Sequence, residues 1–131
     1  MPNIFSKYKI IFYFCNIVLV IFYLYPGSIL GCFLYDDCKI QPQLTKDFII
    51  SSNHFYVFCL ISILGFFTYK EIGKIKSLVI YLILLSIFLE IFHLFIPDRS
   101  FEFLDLFGNL AGSIVVIVLN YFIRNYAKFK N

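Results

Sequence analysis

The chain has 131 residues, of which 61% are hydrophobic, 21% aromatic and only 15% charged. A typical soluble domain is about 45–50% apolar and about 25% charged. Small domains bury only part of their surface, so 18 Phe and 10 Tyr residues could not be hidden in one. The composition therefore excludes nearly every water-soluble fold of this size and predicts a chain whose solvent is lipid.

Four apolar runs are long enough to cross a bilayer, which requires about 20 mostly apolar residues per helix. They predict helices at about residues 8–25, 48–69, 77–96 and 106–123, with an outer loop at 26–47. Pro26 follows the first run and Pro97 the third. An open sheet is excluded because its edges could not form hydrogen bonds in lipid. The sequence predicts an all-α four-helix membrane bundle that forms one domain over residues 1–131.

The net charge of +3 is distributed along the predicted helix ends and does not indicate nucleic-acid binding. One side of the membrane holds eight of the eleven basic residues: Lys7, Lys9, Lys70, Lys74, Lys76, Arg124, Lys128 and Lys130. The other side holds six of the eight acids: Asp36, Asp37, Asp47, Asp98, Glu102 and Asp105. The positive-inside rule then predicts that both termini are cytoplasmic and that the loop at 26–47 faces outward.

The four cysteines fall into two groups. Cys15 and Cys59 lie within predicted helices, where a thiol behaves as a small apolar group. Cys32 and Cys38 share the outer loop and could pair in an oxidising compartment, although spacing alone does not decide it. Residues 29–32 are close to a bacterial lipoprotein box, but a retained first helix is the simpler interpretation. The chain has no Cys-x-x-Cys pair and no Cys/His spacing typical of a zinc site. We therefore expect neither a metal nor a cofactor.

Two ionisable residues lie within the third predicted helix, where such groups are costly and usually face the interior of a bundle. Glu90 and His93 are three residues apart and share a helix face. We interpret them as a general acid/base pair. The alternative is an interhelical hydrogen bond that only orders the helices. Glu-x-x-His is also half of a di-iron motif, but that site needs a second copy, so this pattern does not favour a metal.

Four further polar residues are candidates for binding a substrate: His54, Arg99, Asp105 and Asn109. Arg99 lies in a short connection, where its planar guanidinium is suited to phosphate or carboxylate. Asp105 and Asn109 are one turn apart on the fourth helix. We predict that these four residues converge with Glu90 and His93 in a pocket open to the outside and to lipid head groups. The alternatives are an interfacial anchor for His54, a helix-start residue for Asp105 and a surface ion pair for Arg99.

Gly108 and Gly112 form a small-xxx-small pair in the fourth predicted helix. Such a pair lets a neighbouring helix approach closely. We therefore assign both glycines to helix packing.

The spacing of these residues resembles the signature of the VanZ-like family, which reads roughly E-x-x-Q-x-F-x-P-x-R-x(5)-D-x(3)-N-x-x-G. The matching positions are Glu90, Phe95, Pro97, Arg99, Asp105, Asn109 and Gly112, and His54-Phe55 matches a His-Phe pair of the family. His93 stands where the family usually has Gln. Ile50-Ser51 stands where the family usually has Asp-Lys.

The resemblance implies a small multi-pass protein of the bacterial cytoplasmic membrane. The best-known relative lowers susceptibility to teicoplanin, and the family has no settled biochemical activity. We expect the chain to bind or act on a membrane lipid or a lipid-linked envelope precursor at the outer leaflet, and whether it is an enzyme stays open. One alternative is a non-enzymatic accessory subunit that contacts partners through Gly108, Gly112 and the outer loop. A small transporter is less favoured because no inverted repeat is present. A homo-oligomer is also left open.

Overall fold

The computed structural model of the protein describes residues 4–47 and 49–130, and these residues form helices, turns and loops without strands. The elements are α1 (Ile4–Leu24), α2 (Ile29–Tyr35), α3 (Ser52–Thr68), α4 (Ile72–Phe92), a 3-10 turn (His93–Phe95) and α5 (Phe103–Lys130). The all-α prediction is therefore confirmed.

Three segments are long and apolar enough to cross a membrane: Lys7–Leu24, Ile72–Phe95 and Phe103–Lys128. They belong to α1, to α4 with the 3-10 turn, and to α5. The remaining long helix, α3, is apolar but has only 17 residues. Length and composition thus support a membrane protein with three candidate spans among the described residues.

Hydrogen bonds at both ends of α1 and α3 show that these two helices are antiparallel. Near the start of α1, the carbonyl of Tyr8 accepts a 3.1 Å hydrogen bond from Thr68 at the end of α3. At the opposite end, Tyr23 of α1 contacts His54 in the first turn of α3. The start of α1 therefore lies beside the end of α3.

Helices α3 and α5 run in the same direction. The amide of Ser51, just before α3, donates to the carbonyl of Leu104 in the first turn of α5 at 3.2 Å. Arg124 near the end of α5 donates to the carbonyl of Lys70, just after α3, at 2.9 Å. The start of α1 and the end of α5 therefore lie at the same end of the molecule, beside the connection from α3 to α4.

Three helices begin before the apolar runs that predicted them, whereas α3 (Ser52–Thr68) is shorter than the predicted helix at 48–69. Helix α4 begins at Ile72 and not at residue 77, and Glu71 and Lys74 form a 2.9 Å ion pair in its first turn. Helix α5 covers residues 103–130 and not 106–123. Hydropathy marks only the part of a helix suited to lipid, whereas hydrogen bonding continues the helix through polar residues. The predicted start of the second helix, residue 48, lies outside the described residues.

The predicted outer loop contains the short helix α2. Ser28 caps it by accepting a hydrogen bond from the amide of Gly31 at 3.0 Å. Cys32 and Cys38 are joined by a disulfide, which the spacing alone had left open. The loop then returns to α3, where Asn53 accepts a hydrogen bond from the amide of Leu44 at 3.0 Å. These bonds hold the loop against the same end of the bundle as His54.

The cluster of buried apolar residues that forms the core lies between α1, α3 and α4. Its members are Phe12, Leu19, Tyr23, Phe58, Ile61, Leu78, Leu82 and Leu89. The outward faces are also apolar, since Phe14, Ile80 and Phe122 are each more than half exposed. Contiguous apolar surface of this kind is rare on soluble monomers and is consistent with contact to lipid.

Candidate functional site

A group of buried polar side chains lies at one end of the helices, and we call it the histidine–carboxylate cluster. Its members are Tyr23, His54, Glu90, His93, Asp105 and Asn109. Four elements contribute: α1 supplies Tyr23, α3 supplies His54, α5 supplies Asp105 and Asn109, and α4 with the following turn supplies the remaining pair. Five of the six residues predicted from the sequence to converge therefore meet in this cluster.

Tyr23 joins the two histidine-containing parts of the cluster. Its hydroxyl donates to Oδ1 of Asn109 at 2.7 Å and lies 3.0 Å from Nδ1 of His54. Its backbone carbonyl lies 3.0 Å from Nε2 of His93, and the two rings stack with centroids 5.7 Å apart. Sequence reasoning missed Tyr23 because the chain has ten tyrosines and nothing in the sequence shows which one faces the other helices.

His93 and Glu90 share one proton in this arrangement. Because a backbone carbonyl only accepts hydrogen bonds, Nε2 of His93 must carry a hydrogen that it donates to Tyr23. Nδ1 of His93 then faces Oε1 of Glu90 at 3.2 Å, and one proton between these two atoms satisfies both. The same Oε1 accepts a hydrogen bond from the amide of Glu102 at 3.0 Å. The pair therefore has the donor and acceptor geometry of an acid/base dyad.

Glu90 is fully buried, and only one of its carboxylate oxygens is used. Its exposed fraction is 0%, and Oε2 has no hydrogen-bond partner among the described residues. Asn109 is equally buried, and its amide donates to the carbonyl of Ser86 at 3.3 Å. Both side chains lie inside the protein, whereas the sequence interpretation placed them in a pocket open to the outside.

Both ring nitrogens of His54 have a partner on α5. Nδ1 lies 3.0 Å from Oδ1 of Asn109, and Nε2 lies 3.3 Å from Oδ2 of Asp105. The side chains of His54 and Asp105 are 6% and 18% exposed, so the pair is shielded from bulk solvent. These contacts join His54 on α3 to Asn109 and Asp105 on α5. Neither an interfacial anchor at His54 nor a helix-start residue at Asp105 would require them.

Arg99 does not contact the other predicted site residues through hydrogen bonds. Its Nη2 donates to the carbonyl of Phe22 at 3.1 Å and its Nε to the carbonyl of Tyr25 at 3.3 Å. These carbonyls lie at the end of α1, where helices leave acceptors without partners. Burial lowers the pKa of Arg99, while Asp105 opposes that shift, and a guanidinium remains charged at neutral pH. Arg99 therefore caps α1 as a cation.

A cavity of about 510 Å³ adjoins the cluster. Its walls come from α1, α2, the loop at 41–44 and α3, and they are mainly apolar, including Phe14, Leu34 and Leu60. One end of the cavity is polar and contains Tyr23, His54, His93 and Arg99. Pockets for small ligands generally measure about 300–1,000 Å³, are largely apolar and carry a few polar groups. The cavity has this character.

Gly108 and Gly112 lie inside the molecule against α3. A Cβ at Gly108 would stand 2.7 Å from the carbonyl oxygen of Ser51, and one at Gly112 would overlap the carbonyl of Phe55. Only glycine allows the two backbones to approach this closely. The glycine face is thus covered by α3, which removes it as a surface for a partner protein.

Comparisons with known proteins give no relative. No family model matches the chain, and neither a curated protein nor a solved structure matches it. The VanZ-like resemblance therefore continues to rest on the spacing of residues 90–112 and on the His54-Phe55 pair alone.

Proposed function

We propose that this protein binds a phosphate-bearing lipid, or a lipid-linked envelope precursor, with the apolar chain in the cavity and the head group at its polar end. The cavity carries the proposal, because it is apolar along most of its length and has Arg99, His54 and His93 at one end. An amphiphilic molecule, with an apolar chain and a polar head group, fits a cavity that is apolar along its length and polar at one end. A guanidinium with donors left over after capping α1 is suited to phosphate oxygens.

The proposal includes a four-helix arrangement in the membrane with α3 as the fourth span. Its 17 residues cover about 25 Å at about 1.5 Å per residue, close to the roughly 30 Å hydrocarbon thickness. Lys70, Lys74 and Arg124 lie at the end of the molecule that contains the start of α1 and the end of α5. By the positive-inside rule that end is cytoplasmic, so the cavity belongs to the outer leaflet of a bacterial cytoplasmic membrane.

The Glu90–His93 pair is the group that a reaction at this site would use, because His93 lines the polar end of the cavity and Glu90 lies 3.2 Å behind it. On the VanZ-like spacing we extend the proposal to wall precursors and to a role in glycopeptide susceptibility. Binding is the primary claim, and turnover is the extension.

Native mass spectrometry of the protein in mild detergent tests the binding claim. Val18 lines the cavity, so Val18→Trp should fill it and remove the co-purifying lipid. Val118 is 44% exposed on α5, away from the cavity, so Val118→Trp is a control that should retain the lipid. Absence of any selective lipid from the wild type, or equal retention in both variants, would refute the proposal.

A second variant tests whether Arg99 binds the phosphate of the head group. Arg99→Gln keeps a donor for the end of α1 but removes the positive charge. We expect a loss of phosphate-bearing lipid with little loss of thermal stability, because a helix cap contributes about 1 kcal/mol and Gln keeps a donor. Unchanged lipid composition in a folded Arg99→Gln protein would place the phosphate elsewhere.

A further inference from the structure

The geometry points to a divalent-metal site formed by His54, Glu90 and Asp105, suited to a zinc-class cation. One ligand atom from each residue lies within 4.8 Å of the other two. The residues come from α3, α4 and α5, so the three helices converge on this point. The inference does not depend on the proposed lipid.

The distances suit a shared cation. Nε2 of His54 and Oδ2 of Asp105 are 3.3 Å apart. Zinc binds such atoms at about 2.0–2.2 Å, which places two tetrahedral ligands about 3.4 Å from each other. The ligand atom of Glu90 lies within 4.8 Å of the other two, and a closer approach would complete a set of three.

The unused oxygen of Glu90 is the second observation. Its Oε1 is bound by His93 and by the amide of Glu102, whereas Oε2 is buried without a partner. Buried polar atoms nearly always have a partner, and a buried carboxylate is costly without one. A cation bound to Oε2 and Asp105 would balance both carboxylates.

Each of the three residues also has the supporting hydrogen bond that metal ligands require. Nδ1 of His54 lies 3.0 Å from Oδ1 of Asn109, an acceptor that fixes the tautomer with Nε2 free for metal. Oε1 of Glu90 accepts from the amide of Glu102. The side chain of Ser51 bonds to Asp105. An ion pair between His54 and Asp105 alone would explain neither the position nor the free oxygen of Glu90.

One nitrogen and two carboxylate oxygens form a donor set that Zn²⁺ and Mn²⁺ accept. Catalytic zinc sites have three protein ligands and leave one position open. The imidazole of His54 belongs both to this set and to the polar end of the cavity, so the cation would lie beside the cavity.

Zinc binding by the full chain tests the inference. The protein is purified in detergent with a tag that lacks histidine, treated with a chelator, and titrated with Zn²⁺. Elemental analysis should give about one ion per chain, and Co²⁺ should give an absorption spectrum of a nitrogen–oxygen site. Asp105→Asn and Glu90→Gln should each weaken Zn²⁺ binding by about tenfold or more.

Glu102→Gln is the matched control, because its carboxylate lies nearby but outside the set and only its backbone amide contacts Glu90. It should bind Zn²⁺ like the wild type. If Asp105→Asn fails to fold, His54→Gln replaces it. The inference is overturned if the wild type binds no Zn²⁺, or if binding is undiminished in the ligand variants. Binding lost only on replacing Cys15 and Cys59 by Ser would equally overturn it. Lipid retention is also measured in the chelator-treated protein. This measurement distinguishes failure of the metal site from failure of the proposed lipid binding.

Discussion

Two polar clusters connect the helices, and they are built from different chemistry. The histidine–carboxylate cluster contains two carboxylates and two imidazoles. Toward the other end of α1, a tyrosine cluster contains Tyr13, Asn16, Tyr69 and Tyr81, with hydrogen bonds of 2.7 Å between the hydroxyls of Tyr13 and Tyr69 and 2.6 Å from Tyr81 to Asn16. Both clusters link α1 to α3 or α4, but the tyrosine cluster is neutral.

The tyrosine cluster shows that neutral groups suffice to order these helices. Hydroxyls and amides in a membrane cost far less to bury than carboxylates. The ionisable groups of the histidine–carboxylate cluster therefore exceed what packing requires. That excess, together with the unpaired Oε2 of Glu90, is the physical reason to place function at that end.

The largest effect is expected from Gly112→Leu. The side chain would overlap the carbonyl of Phe55 and separate α5 from α3, at a cost of about 3 kcal/mol or more. The tyrosine cluster does not involve α5 and should persist. The thiol of Cys59 lies 3.5 Å from the carbonyl of Gly112, so its maleimide labelling should accelerate.

Two controls accompany that variant. Cys15 on α1 should label at its original rate. A Cβ at Gly73 meets nothing within 4 Å, so Gly73→Leu should leave both labelling rates unchanged. Equal labelling of Cys59 in the wild type and Gly112→Leu would contradict the α3–α5 contact.

Adding a carboxylate to the tyrosine cluster should lower stability more than removing a carboxylate from the histidine–carboxylate cluster. Asn16 is 8% exposed, donates to the carbonyl of Phe12 and accepts from Tyr81. Asn16→Asp loses the donor and adds a buried charge, so we expect about 3 kcal/mol of destabilisation. Thermal unfolding in detergent measures it, with Asn16→Ser as the neutral control.

The converse change is Glu90→Gln. The amide oxygen still accepts from the amide of Glu102, so we expect stability to fall by no more than about 1 kcal/mol. Zn²⁺ binding should weaken by about tenfold or more at the same time. A variant that is strongly destabilised while it binds Zn²⁺ like the wild type would indicate that Glu90 only orders the helices.

The smallest effects are expected for single hydroxyl groups. Tyr23→Phe removes a buried hydroxyl with two partners, at a cost of about 0.6 kcal/mol. Tyr13→Phe removes an exposed hydroxyl with one partner, and its effect should be smaller than that of Tyr23→Phe. Equal losses in thermal stability would show that burial does not distinguish the two clusters.

Much of the candidate site could be predicted from the sequence because polar residues stand out within apolar runs. Glu90, His93 and Asn109 were identified in that way, and the helix period correctly placed Glu90 and His93 on one face. Tyr23 was missed, because an amphipathic tyrosine is ordinary in a membrane helix. The partners of Arg99 were missed for a different reason: the end of α1 is 74 residues away along the chain.

The amino-acid composition and the lengths of the apolar runs were enough to predict an all-α chain with helices long and apolar enough to cross a membrane, since lipid accepts backbone only when it is internally hydrogen-bonded. Tertiary structure decided the rest: which face of each helix turns inward, that Gly108 and Gly112 pack against α3, and that His54, Glu90 and Asp105 meet. Hydropathy depends on each segment alone, whereas helix rotation and partner choice depend on packing between segments far apart in sequence.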